Sequence, residues 1–285
     1  MFHKRPDGRL VHDMDPIQKI MPYIMKTRTD SMNMFEDLIP CSSMDEYIAK
    51  MENQGLSISY MHILIAAMVR TLAIRPRLNR FVMNGKIYTR PKIWVSFVVH
   101  ETLREDSNET TVKLCFEGTE TIQEISQVIN GAIARETGKK RTANATDKLA
   151  AKLLNLPSWV LQPVVNILMF MDRHNCLPRP IIEASPFHTS LFVTNLKSLG
   201  INHIYHHVYN FGTTGLFLAM GKEKRRPVAV SNEVLIRKQM GIGLVTDERF
   251  CDGLYFARSL KKFKRFLENP YLLETPLEAK VPDAK

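Results

Sequence analysis

Between residues 189 and 246 the chain is a dense block of strand-forming sequence, and helical periodicity resumes only at residue 253. Apolar and β-branched runs occupy 189–195, 202–211, 214–221, 227–230 and 234–246, with Asn232-Glu233 turning between the last two. Strands gathered in this way do not alternate with helices along the chain. A doubly wound parallel sheet therefore fits less well. The expected class is α+β: a two-layer arrangement of a mixed sheet with flanking helices.

The helices of that second layer have local signals. Met61, Leu64, Ile65, Met68 and Leu72 form one apolar stripe over 59–75, with Ser57 or Ser59 to cap it and Pro76 to stop it. Thr121 with Glu124 three residues later has the form of a capping box, and Ile125, Val128, Ile129 and Ile133 continue it as a helix over 121–137. Phe256, Leu260, Phe263 and Leu267 predict a helix over 253–267, closed by Asn269-Pro270. Asp15-Pro16 marks another start, because aspartate caps and proline suits the first helical position. Residues 35–43 read as a strand running into a short helix at 44–51. Asn84-Gly85, between 80–82 and 86–88, spells a hairpin, and strands at 93–101 and 110–117 flank a polar turn over 105–110.

No repeat, low-complexity run or Gly/Ser linker divides the 285 residues, so a single domain over 1–285 is expected, with an N-terminal arm at 1–15 and a polar tail at 275–285. The formal charge of +10 concentrates at Lys222, Lys224, Arg225 and Arg226, at Lys139, Lys140 and Arg141, and at Lys261, Lys262, Lys264 and Arg265. No nucleic-acid-binding motif accompanies these clusters. A solvated basic face is expected, and nucleic acid is not. Cys41, Cys115, Cys176 and Cys251 show no C-x-x-C spacing, which argues against a disulfide framework or structural zinc and suits a reducing cytoplasm. The N-terminal residues contain no apolar run, so no signal peptide is expected.

Residues 149–171 are largely apolar over roughly the ~20 residues that span a bilayer. Lys152, Asn155, Gln162 and Asn166 interrupt them, and Pro157 and Pro163 would break or kink a spanning helix. Two short helices are expected, buried against the core or a neighbouring subunit. Peripheral membrane contact is the alternative, since an apolar stretch beside Lys and Arg also fits an interfacial helix.

The passage from strand to helix reads Asp247-Glu248-Arg249-Phe250-Cys251-Asp252-Gly253. It resembles the D-H-R-x-x-D-G signature of dihydrolipoyl acyltransferases and, more distantly, the H-H-x-x-x-D-G signature of chloramphenicol acetyltransferase. The apolar run 215–221, Arg226-Pro227-Val228 and the segment 234–238 resemble that family's strand, its K-P-V and its I-V-V-R-K. Pro76-Arg77-Leu78-Asn79 is similar to its P-x-L-N, and Val193-Thr194-Asn195-Leu196 to its I-S-N-L. The similarity runs over residues 20–274 and is weakest between 101 and 185.

The resemblance implies a mixed sheet flanked by helices and a trimer, or a higher multiple of three, with active sites between subunits. It implies coenzyme A or acyl-CoA as substrate, entering opposite an acyl-carrying lipoyl group. In the family a histidine takes the proton of the attacking thiol, a serine or threonine hydroxyl donates to the tetrahedral oxyanion, and an aspartate holds the architecture through an arginine. Thr194 takes the donor position, where a preorganised hydroxyl is worth about 3 kcal/mol of barrier. As a plain strand residue it also satisfies β-branched preference. Asp252 takes the architectural position, with Arg28 as candidate partner, and immediately before Gly253 it also fits a helix N-cap.

The departure from the pattern is Glu248, where the family keeps its histidine. An imidazole titrates near ~6.5 and a carboxylate near ~4.3, so the glutamate is the weaker base unless an enclosed channel raises it. Glu248 is then either the base of a modified reaction or the mark of a lost one. Among other histidines, His188, His203, His206 and His207 lie near the Thr194 strand. His206 is the one considered for the channel, with a structural, hydrogen-bonded role as its alternative. No acid or cysteine completes a metal set with 203, 206 and 207, so no metal is expected.

The expected function is coenzyme-A-dependent acyl transfer between a thioester and an acceptor. The alternative is a catalytically degenerate homologue kept as a trimeric or cage-forming assembly protein. No lipoyl domain, Ala/Pro-rich swinging linker or subunit-binding domain precedes the core, so no lipoyl group attached to this chain is expected. Acyl groups would then arrive on a separate carrier.

Overall fold

Capping residues fix where the helices begin. Asp15 accepts from the Ile17 N–H at 2.9 Å, and Pro16 takes the first position of α1 (Pro16–Ile24). The predicted strand and short helix around 35–51 are β2 (Met32–Pro40) and α2 (Ser42–Asn53), and Ser59 caps α3 (Tyr60–Ile74). Asn84 and Gly85, at φ 49 and 71, supply the two left-handed positions that a tight hairpin needs between β3 (Arg80–Met83) and β4 (Lys86–Thr89). A two-residue strand, β1 (Arg9–Leu10), adds to this hairpin in a small sheet ordered β1-β4-β3.

This computed structural model describes residues 5–100, 109–137 and 145–284. The basic run 139–141 and most of the expected polar turn, at 105–108, lie outside them. On either side of that turn are β5 (Ile93–His100) and β6 (Glu109–Phe116). The capping box at the head of α4 (Ile122–Thr137) closes as expected: the Glu124 N–H donates to Thr121 Oγ at 3.2 Å, and the Thr121 N–H donates to Glu124 Oε2 at 2.8 Å. The chain continues through α5 (Ala145–Leu154), α6 (Ser158–Arg173), α7 (Arg179–Ala184), β7 (Leu191–Asn195), β8 (Leu216–Val230), β9 (Glu233–Asp247) and α8 (Gly253–Glu268).

The main sheet is ordered β2-β9-β8-β7-β5-β6. β7 runs parallel to both of its neighbours and the other pairs are antiparallel. The sheet is therefore mixed, as the α+β class requires. Its inner face carries Val95, Phe97, Leu191, Val193, Leu216, Leu218, Ile242 and Leu244 into one core with α3, α4 and α8. Alternation along each strand sends Phe192, Phe217 and Val245 to the outer face, where they form a second, smaller cluster with Val208.

Several expectations are corrected. The stripe read on α3 is only part of its apolar surface: every residue from Tyr60 to Ala73 is buried, because neighbouring helices and the sheet enclose it on all sides. The segments 214–221 and 227–230 are one strand, with a register irregularity between Met220 and Glu223. Residues 202–211 are not a strand. They form an extended strap without ladder pairing, laid across the outer face of the sheet. Gly221, Gly241 and Gly243 make that approach possible, since a Cβ at Gly241 would lie 2.5 Å from the His203 ring and one at Gly243 would lie 2.9 Å from it.

The apolar segment does form two helices, and Pro163 is accommodated inside α6. Burial against the chain's own core is not what α6 shows. Trp159, Ile167 and Phe170 are 79%, 56% and 62% exposed, and among the described side chains of α6 the buried one is Asp172. Among the described residues no helix is long and apolar enough to cross a membrane.

Candidate functional site

Where β9 ends, Glu248–Phe250 make a single 3₁₀ turn into α8. Asp247 and Arg249 fix that turn from either side of Glu248. Arg249 donates from Nε at 2.8 Å and Nη2 at 2.6 Å to the two Asp247 oxygens, and the Ser31 hydroxyl donates to Asp247 Oδ1 at 3.0 Å. Both members of this pair are buried, and a bidentate guanidinium–carboxylate contact is among the stronger and more directional ones available. Arg249 Nη1 also reaches the Met25 carbonyl at 3.2 Å, tying in the end of α1. Glu248 is the exposed residue of the turn.

Asp252 is the N-cap of α8, accepting from the Tyr255 N–H at 2.8 Å. Its ion-pair partner is Arg77 of the Pro76–Asn79 turn, at 3.6 Å and half-exposed on both sides, so the pair adds little stability. The expected partner, Arg28, is engaged elsewhere. Its buried guanidinium donates to the Val82 carbonyl at 2.8 Å and the Asn210 carbonyl at 2.9 Å, and burial lowers its pKa to about 10. Arg28 thus pins the end of the strap, whose Asn210 side chain accepts from the Arg28 N–H at 2.9 Å.

Thr194 is half-buried on β7, on the same sheet face as Phe192. It is level with Ala219 on β8 and, through it, with Gly243 on β9. Its hydroxyl has no hydrogen-bond partner among the described residues. Two strand spacings of about 4.8 Å, with about five residues at about 3.3 Å, put Thr194 and Glu248 on the order of 18 Å apart. Within one chain they are not brought together.

The strap places its own histidines over that face. His206 stacks on Phe217 at 4.4 Å with an interplanar angle of 14°, and Phe217 stacks on Phe192 at 4.9 Å. Its Nε2 is buried without a partner among the described residues. Burial, and then the nearby His207, lower the His206 pKa. His203 lies 3.2 Å from the exposed Glu36 carboxylate. Among the described residues no group of three His, Cys, Asp or Glu is placed to hold a metal ion.

His188 belongs to a separate network that the sequence did not single out. Ser185 Oγ and His188 Nδ1 are 2.8 Å apart, His188 Nε2 is 3.2 Å from Asp172, and Arg5 pairs with Asp172 at 2.9 Å. The order serine–histidine–aspartate is that of a hydrolytic triad, but all three residues are buried. Their effect is to anchor the end of α6 against the head of β7. Burial opposes ionisation of Asp172, but His188 and Arg5 outweigh it and hold the carboxyl at about 2. Burial lowers His188 as well, which leaves Arg5 as the cation that matters near neutral pH.

A cleft of about 300 Å³ adjoins the Thr194 strand, lined among others by Asn195, Lys197, Tyr60, Glu223 and Lys238. Its two lysines are engaged, Lys197 with Glu223 at 2.5 Å and Lys238 with Asp45 at 3.0 Å. A larger cleft of about 530 Å³ lies between the C-terminal tail and the small sheet, with Arg5, Asn79, Arg90 and Asp283 in its wall. Thr194, Glu248 and Asp252 line neither one.

Residues 188–275 match the family model of the 2-oxoacid dehydrogenases acyltransferase (catalytic domain). That range contains the Thr194 strand, the strap and the Asp247–Gly253 turn, so the resemblance read from these motifs is borne out. Among solved structures, a probable dihydrolipoamide acetyltransferase from Listeria monocytogenes is 15% identical, with a TM-score of 0.57 over 90% of this chain and 93% of its own. The cubic core of a pyruvate dehydrogenase multienzyme complex is 11% identical, with a TM-score of 0.55 over 93% and 94%. A chloramphenicol acetyltransferase is 12% identical, with a TM-score of 0.53 over 91% and 99%. At these identities the likeness establishes the fold. No curated protein matches the sequence.

Proposed function

We propose that this chain is a coenzyme-A-dependent acyltransferase core, moving an acyl group between a thioester and an acceptor in the manner of the 2-oxoacid dehydrogenase acyltransferases. The observation that carries this is the turn at 247–253: a buried Asp247–Arg249 pair presents residue 248 outward and Asp252 caps the helix behind it, inside the segment that matches the family model. Thr194 is the oxyanion donor, Glu248 the group at the motif's base position, and Asp252 the support. Coenzyme A or an acyl-CoA is the substrate, and the acyl group exchanges with a separate carrier.

The working form is a homotrimer or a multiple of three. A separation on the order of 18 Å, by the spacing of strands, prevents Glu248 and Thr194 of one chain from serving one carbonyl. A site that uses both needs two copies, and the likeness to the cubic core of a multienzyme complex supports such an assembly. The unpaired cysteines suit a cytoplasmic setting.

A second possibility, an assembly protein that has lost its chemistry, is favoured by one observation: Glu248 is exposed in the single chain, and a solvated carboxylate is a poor base for a thiol. Binding of coenzyme A and acetyl-CoA by calorimetry, followed by transfer to dihydrolipoamide, separates the two. Binding with turnover supports the enzyme. Binding of neither ligand supports the assembly protein.

A further inference from the structure

Past the main sheet, β8 and β9 continue as a two-stranded ribbon. β7 pairs with β8 only as far as Met220, and β2 with β9 only as far as Gln239. From Arg226 and Arg237 outward, the two strands have ladder partners only in each other among the described residues. A ribbon of this kind is marginally stable by itself. This one also sets like charges opposite one another, since Arg225 is level with Lys238 and Arg226 with Arg237. Such pairs destabilise a ladder.

Little inside the chain relieves that repulsion. Lys238 is tied to Asp45 at 3.0 Å, but the ribbon's own acids are placed elsewhere: Glu223 is bound to Lys197 at 2.5 Å, and Glu233 stands at the tip, level with Val230. Arg226 Nε is buried without a hydrogen-bond partner among the described residues. Charges on an open edge, and Pro227 with them, guard it against pairing with other chains. That role is met by cations on one strand and gives no reason to oppose them on both.

The position of the ribbon connects it with the reaction. Alternation along β9 puts Gly243, Gly241, Gln239 and Arg237 on one sheet face, and Gly243 is level, through Ala219, with Thr194. The Arg226–Arg237 pair therefore shares the face of Thr194, and Gly243 to Arg237 spans about 20 Å at about 3.3 Å per residue. A carrier presents its acyl group on a flexible arm, so its protein body rests away from the carbonyl that reacts. The formal charge of +10 disfavours a second copy as the occupant and favours an acidic surface. No aromatic residue lies within 222–238 to stack on a nucleic-acid base. The next level pair on the same face, Val228 with Leu235, is apolar and half-buried, which suits a protein.

We propose that the ribbon face carrying Lys224, Arg226 and Arg237 is the docking surface for the acyl carrier, which meets it with an acidic protein surface. The inference rests on the acyltransferase reading above. Carboxylates of the carrier separate the opposed cations, so docking relieves a repulsion that the free chain bears.

The test uses the full chain in its native assembly. Transfer from acetyl-CoA is measured to free dihydrolipoamide and free pantetheine, and to the same arms on an acidic lipoyl domain and an acidic acyl carrier protein. At low salt, kcat/KM for a carrier should exceed that for its free arm about tenfold or more. Screening should remove the advantage by about 300 mM NaCl. Arg237→Glu should lower the carrier-to-free ratio about tenfold. Because this glutamate would face Arg226, Tm should equal or exceed that of the wild type, which separates lost docking from lost folding. Lys262→Glu makes the same change of net charge at an exposed position of α8 and should keep the ratio.

Turnover with the free arms but no salt-sensitive advantage for either carrier would overturn the proposal and leave the acyltransferase reading standing. An equal fall of the ratio in both variants would do the same, by assigning the effect to net charge. So would a smaller assembly in Arg237→Glu, which would make the ribbon a contact between subunits. Arg237-dependent binding of phosphatidylserine vesicles or of a single-stranded oligonucleotide, without a carrier advantage, would give the surface to another partner. Absence of turnover with both free arms would overturn the acyltransferase reading and the proposal together.

Discussion

Thr194 on β7 is level with Gly243 on β9, whereas Glu248 follows only after β9 has ended at Asp247. Of the two residues that the family pattern assigns to one reaction, one thus sits within the sheet and the other in the turn beyond its end. That separation makes the quaternary state the first thing to measure. Light scattering at micromolar concentration should report a trimer or a multiple of three. A stable monomer would remove any site that depends on two copies.

Helix α6 offers apolar surface that the single chain does not cover, and an exposed patch of this kind marks an interface. Leu161→Glu and Ile167→Glu should shift the assembly towards smaller species while leaving the far-ultraviolet spectrum of the subunit intact. If both variants stay assembled and lose only binding to anionic liposomes, α6 is an interfacial membrane helix instead.

The Arg5–Asp172–His188 network predicts a pH dependence of stability. Asp172 is held at about 2 against an ordinary value of 3.8, so its contribution is complete above 3.8 and disappears as pH falls towards 2. The shift corresponds to about 2 kcal/mol. Urea unfolding at pH 6 and pH 3 should therefore show a smaller loss in Asp172→Asn than in the wild type, because the variant has already lost the titrating group. An equal loss in both proteins would show that Asp172 does not contribute.

The strap depends on its glycine lane. Gly241→Ala puts a methyl group where the His203 ring and the Asn202 side chain now lie, each 2.5 Å from the added Cβ. Overpacking of this kind costs about 1–3 kcal/mol. Since the crowding falls on the strap and not on the inner core, amide exchange should accelerate over 202–209 and remain slow in α3. Uniform acceleration would mean that the strap is not a separately held element.

Much of this architecture was legible in the sequence because its signals are local. The caps at Asp15, Ser59, Thr121 and Asp252 and the Asn84-Gly85 turn are each decided by a few neighbouring residues. The failures lie where tertiary contacts decide. Residues 202–211 have strand-like composition, but only the glycines on β8 and β9 reveal that the segment crosses the sheet without pairing to it. The apolar stripe of α3 gave no hint that its other sides are enclosed too. For the site, the Asp247–Gly253 motif located the turn and Asp252's cap. It paired Asp252 with the wrong arginine, because only the folded chain shows that Arg28 is committed to backbone carbonyls and that Arg77 lies beside the head of α8. The stacking of His206 on Phe217 has no sequence signature beyond the presence of both residues.

The central claim is that Thr194 holds the oxyanion of an acyl transfer. Its most direct test is the rate of acetyl transfer from acetyl-CoA to dihydrolipoamide by the wild type and by Thr194→Val, which keeps the volume and removes the donor. The account predicts measurable wild-type turnover, a fall of about 10²–10³ in kcat for the variant, and unchanged affinity for coenzyme A. Equal rates in the two proteins, or a wild type that neither binds coenzyme A nor transfers acetyl groups, would contradict it.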